Sequence, residues 1–526
     1  MRNLTSTAPV ATGPPVAAGT PTVLSVIDVG SSGVRMLLAE LKPDGAVRIL
    51  EDVQKPLALG RETFRTGTLS AASIQKAVNI LRQYRSMMDT YSVTHTRAVA
   101  TSAVRAALNR DTFVDRIFLA TGIEVEVIEG SQETLLTFAA VQRALAARPD
   151  FTSEDSLMFE LGAGSTEWAL VRAGEVAGSL TYDLGTLRMR DLLRAEGTDK
   201  RAVTRLIQHN VREMMNEVKR TLPFEKVANL IAIGSEARFA ARALKGEGEL
   251  AAVSAKDLRT LADKILAMSS AEAAVSFSIT TSEAESLVPA FLAYAELIRL
   301  NPVDKLLVAS ASMRDGLLLQ VARSIQSGSG VFFPEQTIAA ALNLARKYHA
   351  DERHGVHTAA LARAIFEATQ AQHGMGENER LLLEVASIVH DIGNYVAARG
   401  HHRHAYYLLV NSEVFGLSKM ELEIVANVAR YHRKGAPQSD HPAYAALPRS
   451  ARLSVNRLSA ILRVADALDK SHAQRIQSPK ITLQEEELLI DVDGAEDLAL
   501  ERLTLDQKGG LFEEVFGLKP VLRETT

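Results

Sequence analysis

The chain of 526 residues contains no cysteine. Disulfide frameworks, cysteine zinc sites and thiol nucleophiles are therefore excluded, and a reducing compartment, the cytoplasm, is expected. A surplus of either charge is also missing: 59 Lys and Arg stand against 63 Asp and Glu, for a net charge of −4. A polyanion would have to be met by a local basic patch, because the protein is not basic overall. No apolar run reaches the ~18 residues of a membrane span. The N-terminus lacks the basic, apolar and small-residue order of a signal peptide. No Walker A pattern occurs, so nothing supports a P-loop nucleotide hydrolase. What the chain does have is ordinary for a soluble globular protein, at 47% hydrophobic and 23% charged residues. Its length can bury several cores and predicts roughly three or four domains. Disordered and fibrous classes are thereby excluded.

Residues 1–21 are rich in Ala, Thr, Pro and Gly, and a disordered tail is expected there. From Thr22 to about Arg323, short apolar runs alternate with helical stretches. Val23–Ile27, Val34–Leu41, Arg97–Ala100 and Glu124–Ile128 read as strands, and Ser70–Asp89 as a helix. Strands interleaved with helices point to α/β architecture. From Pro334 to Ala473 the strand signal stops. Apolar residues recur at helical spacing in 342–346, 358–369, 381–389, 419–429 and 457–468. An all-helical domain is expected at 331–473, after a Gly/Ser linker at 327–330. Lys480–Leu483 and Leu488–Val492 suggest a small α/β module at 474–526.

An internal repeat is the most informative feature. Val26-Ile27-Asp28-Val29-Gly30-Ser31-Ser32-Gly33 aligns with Met158-Phe159-Glu160-Leu161-Gly162-Ala163-Gly164-Ser165. Each reads as a strand, an acid, a Gly-rich turn and a second strand. Such turns let successive backbone N–H groups face a phosphate. A carboxylate at the strand end can hold Mg²⁺, a hard cation that screens phosphate charge. Two subdomains, expected at 22–142 and 143–325, would set the two turns across a shared cleft suited to phosphoryl transfer.

These residues resemble the exopolyphosphatase / guanosine pentaphosphate phosphohydrolase family. The matching motifs are Asp28-Val29-Gly30-Ser31-Ser32-Gly33-Val34-Arg35 and Glu160-Leu161-Gly162-Ala163-Gly164-Ser165-Thr166-Glu167. They are joined by Ala100–Arg105 with Asn109, Gly185–Arg188, Met313–Leu318 and Arg430–Lys434, and together they span nearly the whole chain after the tail. The resemblance implies duplicated actin-like, ribonuclease H-like subdomains and hydrolysis of phosphoanhydrides with Mg²⁺ or Mn²⁺. It assigns Glu133, in Glu129-Gly130-Ser131-Gln132-Glu133-Thr134, as the catalytic carboxylate that orients water. It also implies metal binding by Asp28, Glu160 and Glu167. Phosphate would be bound by Gly30, Ser31, Ser32, Arg35, Arg105, Gly162, Ala163, Gly164, Ser165, Arg188 and Arg314, the arginines as bidentate forks. Positions that depart from the family pattern include the altered Ser32-Gly33 pair, Gln132 for Glu, Glu160 for Asp and Ala163 for Gly. Ala163 requires a negative φ or some strain. Gly234-Ser235-Glu236 is a further, weaker candidate loop.

In the helical part, His354, His390-Asp391 and Asp466 follow the order of HD-type metal-dependent phosphohydrolases, with His404 and His432 between them for a second metal. Imidazoles with carboxylates suit Mn²⁺, Fe²⁺ or Zn²⁺. The clusters 401–404 and 430–434 also read as a basic surface for polyphosphate.

The expected activity is exopolyphosphatase, releasing terminal orthophosphate from inorganic polyphosphate. Hydrolysis of guanosine pentaphosphate to the tetraphosphate is the alternative by the same chemistry. Two other readings stay open: a non-catalytic polyphosphate or nucleotide sensor, and a nucleotide phosphohydrolase housed in the HD-type domain. The resemblance suggests a homodimer; no specific nucleic acid partner is expected.

Overall fold

A computed structural model describes residues 22–146, 154–195, 200–222, 224, 226–327, 334–433, 435–493 and 497–525. The expected N-terminal tail and the linker glycines lie outside these residues, as does Lys434. The chain forms two compact units, divided at Gly328/Ser329.

The first unit holds two sheets. Strands β1 (Thr22–Val29), β2 (Gly33–Leu41) and β3 (Val47–Pro56) precede helices α1 (Leu59–Thr66) and α2 (Ala71–Thr90). Then come β4 (His95–Ala100), α3 (Ser102–Arg105), α4 (Arg110–Thr121), β5 (Val125–Val127) and α5 (Gly130–Ala146). The order in the sheet is β3-β2-β1-β4-β5, antiparallel through β1–β3 and parallel through β1, β4 and β5. β1 is central and flanked on both edges, which is why its sequence is an almost unbroken apolar run rather than an alternation. Ser70 caps α2, its side chain accepting from the Ser73 amide at 3.2 Å.

The second half repeats the plan. It contains β6 (Ser156–Leu161), β7 (Thr166–Arg172), β8 (Glu175–Tyr182), α6 (Thr186–Ala195), α7 (Lys200–Thr221), β9 (Asn229–Ile233), α8 (Ser235–Ala243) and β10 (Leu250–Ser254). It continues with α9 (Ala255–Ala267), α10 (Ser270–Phe277), α11 (Thr281–Leu300), β11 (Lys305–Ala309) and α12 (Met313–Ser327). Its sheet runs β10-β11-β9-β6-β7-β8. Read outward from β6, the order β8-β7-β6-β9-β11 matches that of the first sheet, with β10 added at the edge. The duplication seen in two short motifs thus extends to the whole sheet. Each half has its own core. Tyr84, Phe113 and Leu81 anchor the first, and Trp168, Phe159 and Tyr294 the second.

The expected border at 142/143 falls inside α5. The last helix, α12, returns to pack on α5 and β1 of the first half. A Cβ on Gly316 of α12 would lie 1.8 Å from the Leu136 carbonyl oxygen of α5, so only glycine permits this approach.

The second unit is helical except for one small sheet. Its main helices are α13 (Pro334–Lys347), α14 (Glu352–Ala368), α15 (Glu377–Val389), α16 (His401–Val410), α17 (Lys419–Arg430), α18 (Arg449–Ala467), α19 (Ala499–Lys508) and α20 (Gly510–Phe516). Strands β12 (Lys480–Gln484), β13 (Glu487–Asp493) and β14 (Lys519–Thr525) form a sheet in the order β12-β13-β14. The C-terminal module is continuous with the helices, because α19 and α20 both pack on α18. Ser418 closes a capping box with Glu421 at the start of α17.

Gly316→Ala should therefore destabilise the protein by about 1–3 kcal/mol through overpacking at the α5–α12 contact. Thermal denaturation checks this; an unchanged midpoint would mean that the two helices part without cost.

Candidate functional site

The two hairpin turns, β1–β2 and β6–β7, are built alike. Gly30 N–H donates to the Gly33 carbonyl at 2.9 Å, and Gly162 N–H to the Ser165 carbonyl at 3.0 Å. Asp28 lies opposite Arg35 in the first ladder, and Glu160 opposite Glu167 in the second. Neighbouring amides draw the turn carbonyls away. Gly60 N–H donates to Ser31 O and Leu57 N–H to Ser32 O; Thr186 N–H donates to Gly162 O and Leu187 N–H to Ala163 O. Among the described residues, the amides of Ser31, Ser32, Ala163 and Gly164 donate to no backbone carbonyl. Each turn therefore offers N–H groups for an anion. Ala163 is not among the residues with positive φ, so it replaces the family glycine without strain.

The arginines have definite partners. Arg35 bonds Asp28 at 3.1 Å. Arg188 donates to the Gly164 carbonyl at 2.7 Å and lies 4.4 Å over the Phe64 ring, clamping the second turn from behind. Arg105, on α3, donates to the Ile128 carbonyl at 2.6 Å and pairs with Glu133. Arg314 pairs with Asp52 at 2.6 Å. Expected as phosphate forks, Arg105 and Arg314 are instead engaged with carboxylates. Gln132 also has a local job, its side chain accepting from the Glu129 amide at 3.0 Å at the start of α5.

Four acids converge on the cleft. Asp28 ends β1, Glu133 stands in the first turn of α5, Glu160 is on β6 and Glu167 on β7. Thr137 on α5 donates to Glu160 at 3.1 Å, and Ser165 donates to Glu167 at 2.5 Å. Burial pushes the Glu133 carboxyl up to about 7, opposed by Arg105 and reinforced by Glu160 and Asp28. Burial also raises Glu160, with Arg238 opposing it, and holds Glu167 well above the carboxylate range, helped by Glu133 and Glu160. One Asp28 carboxylate oxygen is buried without a hydrogen-bond partner. Buried, mutually repelling oxygen donors with an orphaned member fit a hard divalent cation such as Mg²⁺.

Sequence reasoning missed Arg238. It lies on α8, just after the candidate loop Gly234-Ser235-Glu236, and its charge opposes that of Glu160. Its Nη1 is buried with no hydrogen-bond partner among the described residues. The only hint was its position one turn past a glycine.

In the helical unit, His354, His390, Asp391, His432 and Asp466 come together. His404 does not join them. His401, at the start of the same helix, stands against Asp391 and His432 in the place expected of His404.

The chain matches the Ppx/GppA phosphatase family over residues 40–325, and domain III of the same family over 337–508. It belongs to the Ppx/GppA phosphatase family, whose members are phosphohydrolases. A guanosine-5'-triphosphate,3'-diphosphate pyrophosphatase of Vibrio vulnificus is 22% identical over 480 residues, 89% of this chain and 91% of that protein. Exopolyphosphatase 1 of Mycobacterium leprae is 26% identical over 316 residues, 59% of this chain and 92% of that protein. The crystal structure of an exopolyphosphatase from Cytophaga hutchinsonii superposes with a TM-score of 0.53 at 22% identity, covering 59% of this chain and all of that one. The expected family and the actin-like ATPase fold, followed by a helical domain, are borne out.

The raised carboxyls set a pH rule. Each folded-state pKa lies above the unfolded value, so charge repulsion destabilises the fold above the raised pKa and vanishes as the groups are protonated. A cation relieves that repulsion. Mg²⁺ should raise the thermal midpoint more at pH 8 than at pH 5.5, and Glu160→Gln should shrink the gain at pH 8. An equal gain at both pH values would contradict a cation held by these acids.

Proposed function

We propose that the cleft hydrolyses terminal phosphoanhydride bonds of inorganic polyphosphate, with Glu133 as general base. The observation that carries this reading is Glu133 itself. It is one carboxyl, its side chain 15% exposed, tied to Arg105 and pushed up to about 7 by burial and by the charges of Glu160 and Asp28. A base works best when its pKa lies near the operating pH. Glu133 accepts a proton from water while the water oxygen attacks the terminal phosphorus. The bond from phosphorus to the bridging oxygen breaks, and orthophosphate is released. Free amides of the Ser31–Ser32 and Ala163–Gly164 turns receive the charge that builds on the phosphoryl oxygens. Arg35 and the unpaired Arg238 nitrogen add positive charge on either side. Asp28, Glu160 and Glu167 would hold Mg²⁺, which would screen the phosphate charge. Arg105 keeps the Glu133 carboxylate aimed. The homodimer and the cytoplasmic setting belong to the same proposal, and light scattering checks the dimer.

The second reading is hydrolysis of guanosine pentaphosphate. It is favoured by the Vibrio vulnificus relative, which aligns across both units of this chain. The cleft chemistry is identical, so only substrate preference separates the two.

Glu133→Gln should lower turnover by roughly 10²–10⁴-fold while polyphosphate binding stays close to wild type. Near wild-type turnover would remove Glu133 from the mechanism. Rates on long polyphosphate, short polyphosphate and guanosine pentaphosphate, measured side by side, decide the substrate. A preference for the nucleotide would overturn the first reading in favour of the second, and no hydrolysis of any of the three would leave a sensor.

A further inference from the structure

Among the described residues, Arg238 is the cleft arginine without a partner of its own. Arg35, Arg105 and Arg314 each pair with a carboxylate, and Arg188 holds the Gly164 carbonyl. Arg238 makes no hydrogen bond and no ion pair there, and its Nη1 is buried with nothing to donate to. Burial works against the guanidinium and pulls its pKa down, while the charges of Glu160 and Glu236 hold it up. A guanidinium offers N–H donors in a fixed fork and keeps its proton inside proteins. Leaving such a donor dry is costly unless a ligand brings the acceptor.

The turn between β9 and α8 fixes where this side chain stands. Glu160 on β6 lies beside Ile233 on β9 in parallel register, so the two strands end at the same edge of the sheet. The chain then turns at Gly234, whose φ of 111° suits glycine. A Cβ there would lie 3.6 Å from the Leu161 carbonyl oxygen and 3.8 Å from Glu160 Cγ, so the turn rests against the end of β6. The Arg238 amide donates to the Gly234 carbonyl at 3.1 Å, which sets its side chain on the first turn of α8. The crevice beyond the carboxyl ends of such strands is where α/β sheets bind ligands. Tyr294, on α11, belongs to the same surroundings. Its hydroxyl is buried without a partner, and the charges of Glu236, Arg238 and Glu160 act on it. Two unpaired donors therefore stand near the end of β6.

Arg238 and Glu133 have different neighbours. The charges acting on Arg238 are those of Glu160, Glu236, Arg314 and Asp315. Those acting on Glu133 are Arg105, Glu160 and Asp28. Glu160 is the group they share, and it separates the α5 wall from the α8 wall. In-line displacement needs such a separation, because the attacking and departing oxygens lie on opposite sides of phosphorus. With the water held at Glu133, the bridging oxygen faces away from α5, toward the wall that carries Arg238.

We propose that Arg238 is a catalytic residue that holds the departing phosphate: its guanidinium hydrogen-bonds the phosphate next to the one hydrolysed and so selects substrates whose scissile oxygen carries a second phosphate. The inference rests on the cleft reading above. In the step, the water oxygen bonds to the terminal phosphorus as its proton passes to Glu133. The bond from phosphorus to the bridging oxygen breaks, and the electron pair stays on that oxygen. The chain leaves one phosphate shorter, as an anion, and takes no proton from Arg238. The charged hydrogen bond strengthens as charge builds on the departing group. A phosphate monoester presents carbon at that position and leaves Arg238 unpaired. A site built around a buried polar group rejects an analogue that lacks its partner.

The test uses the full chain and begins with binding, which needs no turnover. Wild type and Arg238→Gln are titrated calorimetrically in Mg²⁺ with orthophosphate and with imidodiphosphate, whose bridging nitrogen resists hydrolysis. Arg238→Gln should weaken imidodiphosphate binding by about tenfold, as for loss of one charged hydrogen bond. Orthophosphate, which reports the terminal site and the fold, should bind as before. Imidodiphosphate affinity that is unchanged, or an equal loss for both ligands, would overturn the subsite. So would wild type that binds imidodiphosphate no more tightly than orthophosphate, a result that no misfolded variant can mimic. Turnover of tripolyphosphate should fall by about 10²–10³-fold in Arg238→Gln, the scale of removing one donor to a developing anion. An unchanged kcat, or wild type without turnover, would overturn the catalytic role. Failure of the cleft reading looks different. Glu133→Gln that turns over like wild type, with the imidodiphosphate result intact, removes the base and leaves the subsite standing.

Discussion

The first unit is organised around carboxylates that repel one another. Two unit charges 4 Å apart interact with about 4 kcal/mol at the effective dielectric of a protein surface. Asp28, Glu133, Glu160 and Glu167 share one cleft floor with little water to screen them. A protein that needed only stability would place leucines there. The fold accommodates the cluster with Arg35, Arg105 and Arg238 around it, and with hydroxyls of Thr137 and Ser165 that donate into it. Burial first, and the charges of Glu160 and Asp28 after it, lift the Glu133 carboxyl to about 7 against the pull of Arg105.

Duplication explains how one chain assembles such a floor. A single hairpin with an acid at the strand end offers one carboxylate and one anion nest. Two copies, each with the order set by a central apolar strand, place an acid and a nest on either wall. The glycines in these turns do not answer a need for left-handed backbone, since neither Gly30 nor Gly162 has positive φ. They keep the turns thin where neighbours press close: a Cβ on Gly162 would lie 3.0 Å from the Ser165 carbonyl oxygen.

Most of the scaffold could be read from sequence because burial writes itself into apolar runs. The central strands and the helices of the second unit fell where those runs lay. The two turns were legible because they repeat. Less visible were the partners of the arginines. Arg314 pairs with Asp52, 262 positions away, and Arg105 with Glu133 across two elements. Spacing along the chain carries no trace of either pairing. Three histidines within 401–404 could not be ranked by order alone; the fold brings His401 to Asp391 and His432. Arg238 and Lys508 belong to no recognisable motif, and only packing puts them beside an acid. The expected subdomain border at 142/143 falls inside α5, one continuous helix that also packs on β7 and β8.

The return of α12 to the first half has a mechanical result. The polypeptide passes from one half to the other through α5 and comes back before Met313. Two such passages side by side form a double-stranded strap. A single strap would let the halves twist freely, as beads on a string do. A double strap permits only a jaw-like swing about the line joining the passages. With Gly316 locked against Leu136, that line runs beside the acid floor. The clustered carboxylates thus sit near the axle, where a given swing displaces atoms least, while the outer rims travel farthest. Such a jaw can widen at its rims without disturbing the geometry at its hinge.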